Sequence, residues 1–243
     1  MKLQVKNLSY SRGRRRVLDK VSLTLQPGAT VLLGHNGAGK STLFSLLATA
    51  LKPSAGTITL ETGQESIESR ADAKNYRRHL ALVPQKYTPV LGLSVAEHIA
   101  YVSWLAGNSS ARAGQEAQAS LETTKLTDLA DRKATELSGG ESQRLAIAGA
   151  LATGARILLL DEPTAGMDPS YKATVNQLIR EISAERTVLV ATHDLYQLED
   201  IYQNVLALSR GSLGYEGSTA DFLAPFDGQA DQQALAAFNH YMD

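Results

Sequence analysis

The chain has no cysteine, a single tryptophan and only 6% aromatic residues among its 243 positions. Without thiols there are no disulfides, no thiolate metal centre and no cysteine nucleophile, a composition that suits a reducing compartment such as the cytoplasm. Neither sign of charge dominates: 24 Lys and Arg face 25 Asp and Glu, for a formal net charge of −1. No global field therefore favours nucleic acid or an anionic membrane surface, and no nucleic-acid partner is expected. No apolar run approaches the ~18 residues of a bilayer span. The start, Met1-Lys2-Leu3-Gln4-Val5-Lys6, lacks the apolar core of a signal peptide. A role at a membrane has to come through a partner. What the chain does have is 43% hydrophobic residues, ample for one α/β domain or a domain with an inserted subdomain.

The N-terminal third is β-rich. Val21, Leu23 and Leu25 alternate with Ser22, Thr24 and Gln26 as in a half-buried strand. The run Arg12 to Arg16, broken by Gly13, reads as a solvated hairpin loop, with a phosphate grip as the alternative. Thr57–Leu60 and Leu80–Val83 read as further strands. From about Gln85 to Gly149 the texture becomes helical, over 95–102 and 113–125 in particular. Apolar strands then return at 157–160, 187–191 and 205–208, spaced as in a buried, largely parallel sheet. From about Thr219 the chain is helix-like.

Three constellations carry chemistry. The first is Gly34-His35-Asn36-Gly37-Ala38-Gly39-Lys40-Ser41-Thr42, between the apolar run 30–33 and the helix-like run 43–47. Strand, glycine-rich loop and helix are what a phosphate-binding P-loop needs. Its backbone N–H groups cradle phosphate oxygens and the helix adds its positive end. Lys40 can reach the β- and γ-phosphates and Ser41 can ligand Mg²⁺. The second is Ile157-Leu158-Leu159-Leu160-Asp161-Glu162-Pro163, a buried strand delivering two carboxylates at its C-terminal end. Neighbouring strand residues point to opposite sides, so the two acids have different jobs. Asp161 fits the Mg²⁺ shell, and Glu162 fits the base that polarises an attacking water. The third is Leu137-Ser138-Gly139-Gly140-Glu141. Ser138 and Glu141 match a helix capping box. Two glycines in a first helical turn weaken the helix, which makes sense if an anion must approach the backbone closely.

Together these motifs resemble the nucleotide-binding subunit of ABC (ATP-binding cassette) transporters over residues 1–217. Gly34 to Thr42 matches the Walker A motif, 157–163 Walker B and 137–141 the ABC signature. Gln85, after Val83-Pro84, matches the Q-loop glutamine. Ala165-Gly166-Met167-Asp168 matches the D-loop, with Met167 where leucine is more frequent, and His193 matches the switch histidine. Tyr10 matches the aromatic that stacks on adenine, although it can also simply pack in the β-rich lobe.

The resemblance implies a RecA-like P-loop NTPase core with an N-terminal antiparallel β subdomain, a helical subdomain at about 86–149 and a short C-terminal helical tail at 218–243. It implies ATP and Mg²⁺ as cofactors, with Lys40, Gln85, Glu162 and His193 in catalysis. Tyr10, Gly34, Asn36, Gly37, Ala38, Gly39, Lys40, Ser41, Thr42, Ser138, Gly139 and Gly140 would hold the nucleotide. Ser41, Gln85 and Asp161 would hold the metal. It further implies a head-to-tail homodimer with ATP between the Walker A of one copy and the signature of the other. A polytopic membrane permease would dock near 85–104 and hold the chain at the cytoplasmic face of the cell membrane. Trp104 reads equally as part of that interface or as packing within the helical insert. The stretch His98 to Gly107 is similar to ABC-2-type exporters, so export is the expected direction. Import, or a soluble ABC ATPase for cofactor assembly, are the alternatives.

Overall fold

Two sheets form from strands of different character. The computed structural model describes residues 1–242. In the first 68 residues, β1 (Lys2–Arg12), β2 (Arg15–Leu25), β4 (Ala55–Glu61) and β5 (Ser66–Glu68) build an antiparallel sheet in the order β2-β1-β4-β5. These strands alternate buried and open positions, so one face is buried. The turn between β1 and β2 is Gly13-Arg14, which confirms a hairpin within the arginine run.

The second sheet contains β3 (Gly28–Leu33), β6 (Leu80–Val83), β7 (Ile157–Asp161), β8 (Thr187–Thr192), β9 (Asn204–Ser209) and β10 (Ser212–Ser218). Its order is β10-β9-β3-β8-β7-β6, and only the β9–β10 pair is antiparallel. Every residue of β7 and β8 is buried, as strands covered on both faces require. Alternation divides those residues between two cores. Val31, Leu33, Leu158, Leu160, Val188 and Val190 pack with α5 (Gly139–Ala152), α6 (Pro169–Ser183) and α9 (Ala230–Met242). Leu32, Leu159, Leu189 and Leu206 pack with α1 (Lys40–Leu47) and the antiparallel sheet. Phe44 of α1 is 1% exposed there, worth about 1.5–3 kcal/mol of burial.

The helical layer has its own core, with Val95 and Ile99 of α3 (Val95–Leu105), Leu121 of α4 (Ser110–Thr123) and Leu145 of α5. Ser94 closes a capping box with Glu97 at the start of α3. The helix expected at 113–125 begins earlier, because the Ser109 side chain caps it by accepting from the Arg112 N–H. It ends earlier too: Lys125 takes a left-handed φ of 55°, which helical geometry does not allow. The segment 84–94 is not helical, so the helical layer starts at Val95 rather than at the end of β6. After β10, α8 (Thr219–Leu223) and α9 put Phe222, Ala237 and Phe238 into the same core as the parallel sheet.

Candidate nucleotide site

Topology collects the candidate residues. β3 leads into Gly34–Gly39, β7 ends at Asp161, β8 is followed by His193 and β6 by Pro84-Gln85. All four strands are parallel and in register, with Leu33 opposite Thr192, Asp161 opposite Ala191 and Val83 opposite Leu160. Their C-terminal ends therefore open on one edge, where α/β sheets bind ligands.

The P-loop turns into α1 at Gly39, which has a φ of 111°. A Cβ there would lie 2.8 Å from Leu18 Cδ2, so only glycine lets the hairpin close over the loop. Lys40 is 7% exposed and its Nζ donates to the Gly34 carbonyl at 2.6 Å. The same ammonium lies 3.5 Å from Glu162 Oε1. Glu162 in turn meets His193 Nδ1 at 3.0 Å. Its backbone sits at a φ of 49°, a left-handed conformation that costs a non-glycine residue about 1–3 kcal/mol and is sustained where surroundings over-determine it. Here the Glu162 N–H donates to the Ala191 carbonyl at 2.8 Å, fixing the turn after β7 to β8. The loop after His193 is held by Lys172, whose Nζ bonds Asp194 Oδ2 at 2.7 Å. Burial acts to raise the Asp194 carboxyl, but the bonds from Lys172 and the Tyr196 N–H win and hold it below the ordinary range.

Asp161 differs from its neighbour. It is 8% exposed and burial raises its pKa; the Ser41 hydroxyl bond opposes this, the Glu162 charge adds to it and Lys40 opposes it. Its Oδ1 is buried without a hydrogen-bond partner. An orphaned carboxylate oxygen beside a hydroxyl asks for a cation. Among the described residues no group of three or more His, Cys, Asp or Glu could hold a metal ion. The available donors suit Mg²⁺, which takes one carboxylate, a hydroxyl, an amide oxygen and the phosphates themselves.

A cavity of 540 Å³ opens at this edge, lined by Asn36, Gly37, Gly39, Lys40, Ser41, Thr42, Gln85 and Glu162. It also takes in Arg12, Arg15, Arg16, Val17, His35 and Arg210. The hairpin is solvated, as its composition suggests, and three of its exposed arginines, Arg12, Arg15 and Arg16, also border this cavity; Arg210 joins them from the β9–β10 turn. Arginine composition raised that option; nothing local in the sequence shows that the hairpin folds over the loop. Gly34 and Ala38 do not line the cavity; Gly34 lies against the Leu208 carbonyl, where a Cβ would come within 2.6 Å of the oxygen. Tyr10 is half-buried against the antiparallel sheet's core and is not a lining residue either.

The Ser138–Gly140 loop lies elsewhere. Its capping box is formed: the Ser138 N–H donates to Glu141 Oε2 at 2.8 Å and the Glu141 N–H to Ser138 Oγ at 3.4 Å. It lines a second cavity of 650 Å³ with Ala165, Gly166, Met167, Asp168 and Tyr171. Gln85 borders both cavities. Gly140 lies under Tyr171; a Cβ there would come within 2.5 Å of the ring, whereas one on Gly139 would meet nothing within 4 Å.

This fold and edge define a P-loop nucleoside triphosphatase with a second, glycine-bearing helix start that lines a cavity of its own. Comparison with known proteins narrows the class. The family described as "ABC transporter" matches residues 18–165. The tungstate uptake system ATP-binding protein TupC of Peptoclostridium acidaminophilum is 36% identical over 217 residues, 88% of this chain and 97% of that protein. The ABC transporter ced-7 of Caenorhabditis elegans is 37% identical over 86% of this chain, which spans 12% of that protein's length. The retinal-specific phospholipid-transporting ATPase ABCA4 of Bos taurus is 34% identical over 84% of this chain, which spans 9% of it. Among solved structures, an ATP-binding subunit of an ABC transporter superposes with a TM-score of 0.81 at 25% identity, over 98% of this chain and 99% of that one. The cbiO1 structure from Clostridium perfringens, part of the ABC transporter complex cbiONQ, gives 0.78 at 28% identity over 91% and 90%. The chain belongs to the ABC transporter ATP-binding family: it is an ABC-type ATPase domain and binds ATP.

Proposed function

We propose that two copies of the chain close head to tail on two ATP molecules, hydrolyse them, and drive a separate membrane-spanning subunit. The observation that carries this reading is the separation of the two phosphate-directed loops. The cavity that holds Lys40 includes none of Ser138, Gly139 or Gly140, and those three face a cavity of their own. A second chain supplying its signature loop completes the site, and a C₂ arrangement makes two equal sites.

Within a site, the P-loop N–H groups and Lys40 bind the triphosphate. Incoming phosphate competes with Glu162 for the Lys40 ammonium, which frees the carboxylate. Glu162 then accepts a proton from the attacking water, with His193 holding its orientation. Ser41, Asp161 and Gln85 would hold Mg²⁺, which when bound neutralises phosphate charge. Tyr10, two residues before the cavity-lining Arg12 on β1, would stack on adenine. The signature N–H groups of the second copy stabilise charge on the transferring phosphoryl group.

No helix among the described residues is long and apolar enough to cross a membrane. The docking surface is the face around α3. Val90, Leu91, Tyr101, Trp104 and Leu105 are all exposed there, at 39–83%. Beside them runs a groove of 1030 Å³ bordered by Val102 and Leu105 and by Lys74, Arg77, Arg78, Arg112 and Arg156, with no carboxylate in its lining. That charge suits an acidic segment of the permease, and docking there places the chain on the cytoplasmic face. We read the direction as export, from the similarity of 98–107; TupC is named for uptake and ABCA4 for phospholipid transport, so a flux assay decides it.

The test mixes two inactive variants. Lys40→Ala disables the P-loop and Gly139→Asp sets a carboxylate against the partner's phosphate. A 1:1 mixture forms half heterodimers with one intact site each, so ATPase activity should return to about a quarter of wild type for independent sites. A Gly139→Asp protein with full turnover on its own would show that this loop never meets a nucleotide.

A further inference from the structure

One buried titratable side chain has no place in the chemistry above. His98, on α3, is 2% exposed. Both ring nitrogens are engaged, and both by the segment that follows Gln85. The Val90 N–H donates to Nδ1 at 3.3 Å. Nε2 is hydrogen-bonded to the Tyr87 hydroxyl. The two rings meet edge to face, with centroids 5.8 Å apart and planes at 88°. Because Nδ1 accepts, the ring proton sits on Nε2 and is donated to Tyr87. Burial pushes the His98 pKa down and that of Tyr87 up to about 12, so both groups stay neutral, as this pair of bonds requires.

The location gives the pair its meaning. Residues 84–94 join the end of β6 to the start of α3 without regular structure. Among the described residues, no side-chain hydrogen bond other than these two reaches residues 84–93. Gln85 is exposed on this segment and borders both the P-loop cavity and the signature cavity. Tyr87 borders the signature cavity and the basic groove. The segment is tied to the helical layer at its far end, where the Ala134 N–H donates to the Leu93 carbonyl at 3.0 Å, and nearer Gln85 by Tyr87 and Val90; among the described residues Gln85 itself makes no side-chain hydrogen bond.

We propose that His98 is a positioning residue for ATP hydrolysis: by clamping Tyr87 and Val90 to α3 it fixes where Gln85 stands at the mouth of the phosphate cavity. The inference rests on the reading of Gln85 as a catalytic, metal-holding residue. Displacing such a group by about 1 Å can cost up to about 100-fold in rate, while the P-loop's own grip on ATP is untouched.

The experiment measures kcat and ATP affinity for the full chain carrying His98→Leu, His98→Gln or Tyr87→Phe, each with and without Gln85→Ala. Leucine removes both bonds. Glutamine keeps one donor and one acceptor. Tyr87→Phe deletes a single hydroxyl and spares the packing, so it remains informative if His98→Leu folds poorly. We expect His98→Leu to lower kcat by about 10- to 100-fold with ATP affinity within about twofold. Tyr87→Phe should fall in the same direction and His98→Gln should recover most of the loss. In the Gln85→Ala background none of the three should cost anything further. A full multiplicative loss in that background, with Gln85→Ala itself impaired, overturns the inference and leaves the reading of Gln85 standing. Normal turnover of Gln85→Ala alone overturns both.

Discussion

The contact between Gly140 and Tyr171 permits a separation of folding from catalysis at the signature loop. A methyl group on Gly140 would sit 2.5 Å from Tyr171 Cδ1, far inside contact distance, so the ring has to move. Overpacking a closed core costs about 1–3 kcal/mol; Tyr171 is 40% exposed and can turn its ring outward, which holds the cost to the lower half of that range, about 1–2 kcal/mol. Replacing a helical glycine by alanine returns about 0.5–1 kcal/mol. Gly140→Ala alone should therefore be roughly 0–1.5 kcal/mol less stable, a fall in Tm of up to about 6 °C for a chain of this size. With Tyr171→Ala the obstacle is gone and only the helix gain remains, so a double-mutant cycle should give a coupling of about 1–2 kcal/mol. Gly139, one residue earlier, has open space for a side chain. Aspartate there sits in the first turn of α5, where the helix dipole favours an anion by about 0.3–1 kcal/mol. Gly139→Asp should hold or raise Tm while removing turnover. Urea denaturation of the four cycle members, with ATPase assays on Gly139→Asp, measures both arms. A coupling below about 0.5 kcal/mol, within ordinary additivity, refutes the argument that Tyr171 restricts position 140.

Lys40→Ala should abolish hydrolysis and weaken ATP binding, measured by fluorescent-nucleotide titration; normal turnover would remove the P-loop assignment. For Asp161 the sign follows from its raised pKa: its contribution to folding is present below the ordinary carboxylate pKa and is lost as pH rises through the folded value. Asp161→Asn should therefore raise the Tm of nucleotide-free protein at neutral pH and flatten its acid-side pH dependence, while weakening Mg²⁺-dependent ATP binding. Arg77→Glu with Arg78→Glu, both exposed on the groove rim, should leave ATPase activity of the isolated chain unchanged and abolish co-purification with the permease.

The parts of the site that were readable in sequence are those written in consecutive residues. The P-loop, the Asp161-Glu162 pair and the Ser138 capping box each depend on local backbone geometry, and each occupies the strand end or helix start its pattern implies. The parallel sheet was legible for the same reason, since strands buried on both faces carry unbroken apolar runs. What escaped depends on distant segments meeting. Arg12, Arg16 and Arg210 reach the phosphate cavity only because the hairpin and the β9–β10 turn fold over Gly39. His98 looked like one more residue of a helical run, yet its two partners lie across an irregular segment that no periodicity describes. The limits of α4 depart from hydrophobic spacing because a serine cap and a left-handed lysine set them.

The central claim is that Ser138–Gly140 of one copy and the P-loop of another close on the same nucleotide. Analytical ultracentrifugation with ATP and Mg²⁺ tests it on Glu162→Gln, which removes the proposed base and should prevent turnover, and on Glu162→Gln combined with Gly139→Asp. The first should sediment as a dimer; the second should stay monomeric while binding ATP with unchanged affinity. A Glu162→Gln protein that remains monomeric, or a double variant that dimerises as readily as the single one, would contradict the claim.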